Sequence, residues 1–135
     1  MTASETDSLP TGAEDTAWNV ETLVDGDGPD GARALLDTAA AMAESLVAEA
    51  KGNLAGADAA QIAAWLDLQA EMFDATHRAA NYASLRFSTD VADPANGALM
   101  AEFQERTAAL AAELVWFELE WLAIDDDAAA TLLDH

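Results

Sequence analysis

Cysteine is absent from this sequence and basic residues are scarce, with five Lys and Arg against 26 Asp and Glu among 135 residues. Without Cys the chain has no disulfide, no thiolate metal ligand and no thiol nucleophile. The formal net charge of −21 argues against nucleic acid and anionic membrane surfaces as partners, because both bind clustered Lys and Arg. Thiol chemistry and nucleic-acid binding are therefore excluded.

Long apolar runs are lacking as well. No window approaches the ~18 consecutive apolar residues of a membrane span. The N-terminus carries Glu5 and Asp7 and lacks the basic start of a secretory signal. Hydrophobic residues nevertheless make up 52% of the chain, which is too much for a disordered acidic polymer. We expect a soluble cytoplasmic protein with a packed core, and the acidity leaves salt adaptation open.

Residues 1–28 form an acidic leader that we expect to be mostly irregular. It ends in a cluster of turn-forming residues, Asp25-Gly26-Asp27-Gly28-Pro29. Its apolar anchors are Trp18, Val20 and Leu23. Because a polar leader has no other reason to carry Trp18, we expect this segment to dock on another surface.

Residues 29–135 are predicted to be helical. Apolar residues recur at helical intervals from Pro29 to Lys51, mainly at Leu35, Met42 and Leu46, with Leu36, Ala43 and Val47 beside them. A second helix is predicted to begin after Asp58, where Gln61 completes a capping-box pattern, and to end near Phe87. The apolar side of this second helix comprises Ile62, Trp65, Leu66, Met72, Phe73, Thr76, Ala80 and Ala83.

A third helix is predicted to open at Asp93-Pro94, with Asp as the cap and Pro in the first turn. Its apolar seam comprises Met100, Phe103, Thr107, Leu110, Leu114, Phe117, Trp121 and Ile124. After Asp125–Asp127 a fourth helix starts at Ala128 and stops early, which leaves Leu132 and Leu133 without a place to be buried. The predicted fold is therefore all-α, a bundle of three long helices plus an incomplete fourth, with an irregular acidic leader.

The two His residues, His77 and His135, cannot form the H-E-x-x-H motif of zinc hydrolases. Asp74 and His77 have the spacing of half a di-metal bundle site, and the second half is missing. The simpler interpretation is that Glu71, Asp74, His77 and Arg78 form a solvated helix face with local charge pairs.

Other polar clusters have equally simple interpretations. Glu113, Glu118 and Glu120 lie near two aromatic residues, where a carboxyl group can act as an acid, and they also fit a polar flank of an apolar seam. The Asp125–Asp127 run fits a helix N-cap better than a calcium loop. Gly26 and Gly28 lack the flanking strand and the spacing of a dinucleotide-binding loop. Ser84 and Ser88 lack a His and an Asp placed to activate a serine. We predict no catalytic, cofactor-binding or metal-binding residue in this chain.

Several short motifs occur in a familiar order. Trp18-Asn19-Val20 followed by an acidic loop is similar to the start of oligoendopeptidase F-like zinc metallopeptidases, relatives of thimet oligopeptidase. The helix-to-loop junction of that family is resembled by Tyr82-Ala83-Ser84-Leu85, Ser88-Thr89-Asp90 and Asp93-Pro94. Its following long helix is resembled by Phe103-Gln104-Glu105 and Phe117-Glu118-Leu119-Glu120. The resemblance runs from Trp18 onward.

This resemblance implies the N-terminal helical region of a much longer enzyme that hydrolyses short peptides in a deep channel. The family's zinc ligands lie in a C-terminal catalytic half, and nothing here matches them, so the resemblance implies zinc in that half and no activity in this chain alone. The implied partners are the catalytic half and, in the parent enzyme, a short peptide. The alternative is a stand-alone acidic helical interaction module that binds through the seam between Met100 and Ile124.

Overall fold

The computed structural model describes residues 17–133, and these are almost entirely helical. Three long helices are followed by a short one, which confirms the predicted all-α class. The elements are α1 (Gly28–Ala50), α2 (Ala59–Thr89), α3 (Pro94–Leu122), α4 (Asp126–Leu133), an N-terminal 3-10 helix (Val20–Val24) and a second 3-10 helix (Leu54–Gly56). The expectations for residues 1–16 and for His135 lie outside the described residues.

The helix starts follow from local capping chemistry. At the start of α2, Asp58 accepts a hydrogen bond from the Gln61 amide at 2.9 Å, and the Gln61 side chain accepts one from the Asp58 amide at 3.0 Å. At the start of α3, Asp93 accepts a hydrogen bond from the Ala95 amide at 2.8 Å. These contacts satisfy amide groups that have no partner within the helix, so the predicted capping box and cap are confirmed.

The stripe of α1 that faces the core agrees with the predicted one in part. Leu35, Met42 and Val47 are only half-buried. The buried residues recur every three or four positions, at Ala32, Leu36, Ala39, Ala43, Leu46 and Ala50. Four of these six residues are alanines, and small side chains let neighbouring helices approach closely. Leu36, Ala43 and Leu46 are therefore buried as predicted, whereas Leu35, Met42 and Val47 flank the contact.

The apolar sides of α2 and α3 are divided between the core and an exposed face. Ile62, Trp65, Met72 and Ala83 of α2 are buried as predicted, whereas Leu66 and Phe73 are 43% and 44% exposed. In α3, Trp121 is 39% exposed. The buried members of α3 are Asn96, Leu99, Phe103, Leu110, Leu114, Trp116 and Phe117.

Ion pairs fix α1 and α3 in a parallel register. Arg33 donates from Nε and Nη2 to Glu102 at 2.9–3.2 Å, across 69 positions of sequence. Arg106 pairs with Asp37 at the same separation of 69. At the far end, both Glu120 carboxylate oxygens accept the Gly52 amide, at 2.8 and 2.9 Å. The hydrogen bonds that Glu102 accepts from Arg33 lower the pKa of the Glu102 carboxyl group.

The leader contacts the bundle through two of its three predicted anchors, since Val20 and Leu23 are partly buried against the core. Val24 of the N-terminal 3-10 helix is buried, and the Arg78 Nε atom donates to the Leu23 carbonyl at 2.9 Å. Trp18, by contrast, is 87% exposed. At the other terminus Leu132 is half-buried against the core, contrary to the expectation that it has no place to pack, and the Leu133 side chain lies outside the described part.

The α1–α3 register predicts the effect of a charge reversal at Glu113. An offset of 69 positions places Glu113 opposite Glu44, and both residues are exposed carboxylates. Glu113→Arg should therefore extend the ladder of ion pairs and raise the free energy of unfolding by about 0.5 kcal/mol. Urea denaturation followed by circular dichroism measures this change.

The matched control is Glu118→Arg, which alters the net charge equally on a different side of α3. It should gain clearly less stability than Glu113→Arg. Equal gains would show that the overall charge, rather than the register, produces the stabilisation.

Candidate functional site

A groove runs between α2 and α3 on the face opposite to α1. It consists of three cavities of about 450, 280 and 190 Å³. The first and second cavities share Phe73, Ala111 and Leu114, and the second and third share Ala80 and Thr107. Because neighbouring cavities share lining residues, the three lie one after another between α2 and α3, and we call them together the α2–α3 groove.

The lining of the α2–α3 groove is mainly apolar. Its wide end holds the exposed side chains Leu66, Phe73, Val115 and Trp121. Its narrow end is lined by smaller residues such as Ala80, Ala83 and Ser84. From Leu66 to Ser84 the groove follows α2 for about 27 Å at 1.5 Å per residue.

The ionisable groups that line the groove are Glu118 and His77, and no Lys or Arg lines it. Neutral polar side chains, among them Asn81 and Gln104, line the narrow end. Glu118 lies at the wide end, and His77 lies in the middle with its ring stacked on Phe73 at a centroid distance of 6.1 Å. None of these groups forms a nucleophile with an adjacent base. The groove is therefore suited to holding an apolar surface rather than to acid–base chemistry.

A second polar centre lies where the N-terminal 3-10 helix meets α2 and α3. The fully buried Tyr82 hydroxyl donates to Glu21 at 2.9 Å and accepts from Arg86 Nη1 at 2.9 Å. Arg86 also donates to the side chain of the buried Asn96 at 3.3 Å, and Asn96 donates to the Asp90 carbonyl. Burial raises the pKa of Tyr82. The hydrogen bond between Arg86 and Tyr82 raises the pKa of Arg86.

A cavity of about 510 Å³ lies beside this polar centre. Several of its polar lining groups already have partners within the protein, since Arg86 and Asn96 belong to the network above and Asp93 caps α3. The network fastens the leader to the bundle, and the cavity shows no catalytic pair.

The residues considered for a di-metal site do not assemble one. Asp74 and His77 are both exposed on α2. Arg78 does not make the local charge pair that was predicted, because it reaches across to the Leu23 carbonyl and to Asp25 at 2.9 Å. Within residues 17–133, no group of three or more His, Asp or Glu side chains is arranged to hold a metal ion.

The other candidate residues do not come together in a site either. Glu113 and Glu118 are exposed, and Glu120 binds the Gly52 amide, so the three carboxylates form no common site. Asp125 accepts the Asp127 amide at 2.8 Å, which agrees with the predicted N-cap of α4. Ser88 donates its hydroxyl to the Ser84 carbonyl one turn earlier.

Comparison with known proteins adds no family. A scan against family models, a search of curated proteins and a search of solved structures each find no match. None of the helices between residues 17 and 133 combines the length and the apolarity that crossing a bilayer requires.

The sequence carries a signal for the groove within the apolar side of the second helix. Leu66, Phe73 and Ala80 recur every seven positions, next to the stripe formed by Trp65, Met72 and Ala79. Two adjacent apolar stripes on one helix indicate two neighbours rather than one wide core face. For the Tyr82–Glu21 contact no such signal exists, since the two residues are 61 positions apart.

Tyr82 can be tested directly because it is the only tyrosine of the chain. Its pKa should lie above the ordinary value of 10.0 in the folded protein and return to that value in urea. Because the folded pKa is the higher one, neutral Tyr82 favours folding below pH ~10, and this contribution is lost as the pH rises toward the folded pKa. The absorbance of tyrosinate measures the titration.

Tyr82→Phe is the control for this titration. The variant should lose the absorbance change and show a weaker decline of stability above pH ~10 than the wild type. An ordinary pKa for Tyr82 in the folded protein would contradict the buried position of the hydroxyl.

Proposed function

We propose that this chain acts as a non-catalytic docking module whose α2–α3 groove binds a helix of a partner. The observation that carries this proposal is the continuous apolar groove, in which Leu66, Phe73, Val115 and Trp121 remain 39–53% exposed beside a core that is already sealed by three helices. Contiguous exposed apolar surface of this kind is typical of an interaction site.

The geometry favours a helix as the occupant. A groove between two packed helices offers the same surface that a fourth helix uses in a four-helix bundle. Covering apolar surface contributes roughly 25 cal/mol for each Å² removed from water, so the four exposed side chains would be the main source of affinity. Ala80 and Ala111 leave room for larger side chains of the partner.

The motifs of the sequence support a narrower form of the proposal. The module is the N-terminal helical region of an oligoendopeptidase F-like zinc peptidase, and the catalytic part, which holds the zinc, supplies the covering helix. The support consists of the ordered motifs from Trp18 to Glu120 together with the exposed face. In this form the chain shapes a peptide channel and performs no catalytic step.

Docking is tested with a synthetic amphipathic peptide of about 18 residues that has a Leu/Ala stripe and Gln at the flanking positions. We expect it to bind the full chain and to shift the amide resonances of Phe73, Ala111 and Val115 in NMR spectra. Ala111→Glu should weaken binding at least about tenfold, because it places a charge in the apolar groove.

The matched control is Ala112→Glu, since Ala112 is exposed on α3 and lines none of the three cavities. This variant should bind within about twofold of the wild type. Binding that is equally sensitive to both substitutions, or absent in the wild type, would exclude the groove as a docking site.

The peptidase form is tested on the transcript that encodes the chain. An open reading frame that runs on into an H-E-x-x-H motif supports it. A transcript without such a motif would contradict the peptidase form and would not affect the proposal of a docking module.

A further inference from the structure

We propose that the helix bound by the α2–α3 groove is basic, with Lys or Arg flanking its apolar stripe. This inference rests on the docking function proposed above and adds the chemistry of the partner. It is carried by the distribution of the few cations over the structure, by the charges beside the groove and by the shape of the groove.

Every arginine of the chain is engaged away from the groove. Arg33 and Arg106 pair with Glu102 and Asp37 between α1 and α3. Arg78 and Arg86 pair with Asp25 and Glu21 of the leader. These contacts use four of the five basic residues, and the fifth, Lys51, follows the end of α1. The groove therefore has no Lys or Arg of its own to offer an acidic partner.

Carboxylates lie beside the groove instead. Glu118 lines the wide end next to Trp121, and the exposed Asp74 follows Phe73 on α2. An apolar helix that carries Lys or Arg beside its stripe would bring these cations close to Glu118. A helix flanked by Glu would bring like charges together and would also meet the net charge of −21.

The same charges argue against a second copy of this chain as the occupant. A second copy presents the same groove without cations, and each copy carries a net charge of −21. Its helices would add carboxylates beside Glu118 rather than neutralise it. Self-association through this face is therefore opposed by repulsion, whereas a basic helix is attracted to it.

The shape of the groove sets the length and the pattern of the partner. About 27 Å along α2 corresponds to a helix of about 18 residues, or five turns. Larger side chains of the partner fit the wide end, where the cavity beside Phe73 and Trp121 is about 450 Å³, and smaller ones fit the narrow end beside Ala80 and Ser84, where the cavity is about 190 Å³.

The experiment compares three peptides of about 18 residues that share one Leu/Ala stripe and differ only in flanking Lys, Gln or Glu. Fluorescence anisotropy with the full chain measures each affinity at low and at physiological salt. We expect the Lys peptide to bind about tenfold more tightly than the Gln peptide, and the Glu peptide more weakly still. Added salt should reduce the preference for Lys.

A pair of variants separates the local carboxylate from the overall charge. Glu118→Lys and Glu105→Lys change the net charge equally, and Glu105 is an exposed residue of α3 that lines none of the groove cavities. Glu118→Lys should reduce the affinity for the Lys peptide about fivefold more than Glu105→Lys does.

The possible results separate this inference from the docking function. Equal affinities for the three peptides, or equal losses in the two variants, would overturn the basic partner and leave the docking function intact. Absence of binding by all three peptides would overturn both. A dimer of the chain that Ala111→Glu dissociates would also overturn the inference, because it would show that a second copy occupies the groove.

Discussion

Basic residues are few beside the 26 acidic residues of this chain, and the arrangement of the helices depends on where the arginines lie. Arg33 and Arg106 join α1 to α3, and Arg78 and Arg86 join the leader to α2. Each of these pairs crosses between two elements. A surface ion pair contributes only about 0–1 kcal/mol, but here it also removes repulsion between carboxylate-rich helices.

This use of the arginines leaves the α2–α3 groove without Lys or Arg, and it leaves the second half of the α1–α3 seam without ion pairs. At that end of the seam the Gly52 amide binds Glu120 in place of a cation. Gly52 adopts a φ of +82°, a left-handed conformation that suits glycine and turns its amide toward the carboxylate. The bundle therefore holds its acidic helices together by arginine at one end and by a backbone amide at the other.

The helices of the fold could be predicted from the sequence, but which side of each helix is buried could not. Asp58 and Asp93 act on amides two or three positions away, so helix starts are local and could be predicted. Whether Leu66 or Met72 is buried depends on how many helices surround α2, which no local pattern contains. The engagement of Arg78 with Asp25 was missed for the same reason, since these residues are 53 positions apart.

The candidate site was harder to predict because residues of two different helices form it. Leu66, Phe73 and Ala80 form a readable stripe on α2, but a groove exists only once α3 places Ala111 and Val115 beside them. The expected absence of catalytic residues stays a prediction. The apolar seam of α3 that was expected to bind a partner lies partly in the core and partly in the groove. Its members Phe103, Leu110 and Phe117 are buried in the core, and Trp121 remains in the groove.

The acidity and the exposed groove depend on each other. An exposed apolar face promotes association between copies of the chain, and a net charge of −21 opposes it at the distances where copies meet. Charge alone would hold a partner weakly, because exposed charges are screened beyond about 8–10 Å in physiological salt. In the proposed docking function, the affinity would therefore come from Leu66, Phe73, Val115 and Trp121, and the carboxylates would select which apolar helix reaches them. If the groove binds a partner as proposed, an acidic surface whose arginines are paired between elements would keep it open for a partner of opposite charge.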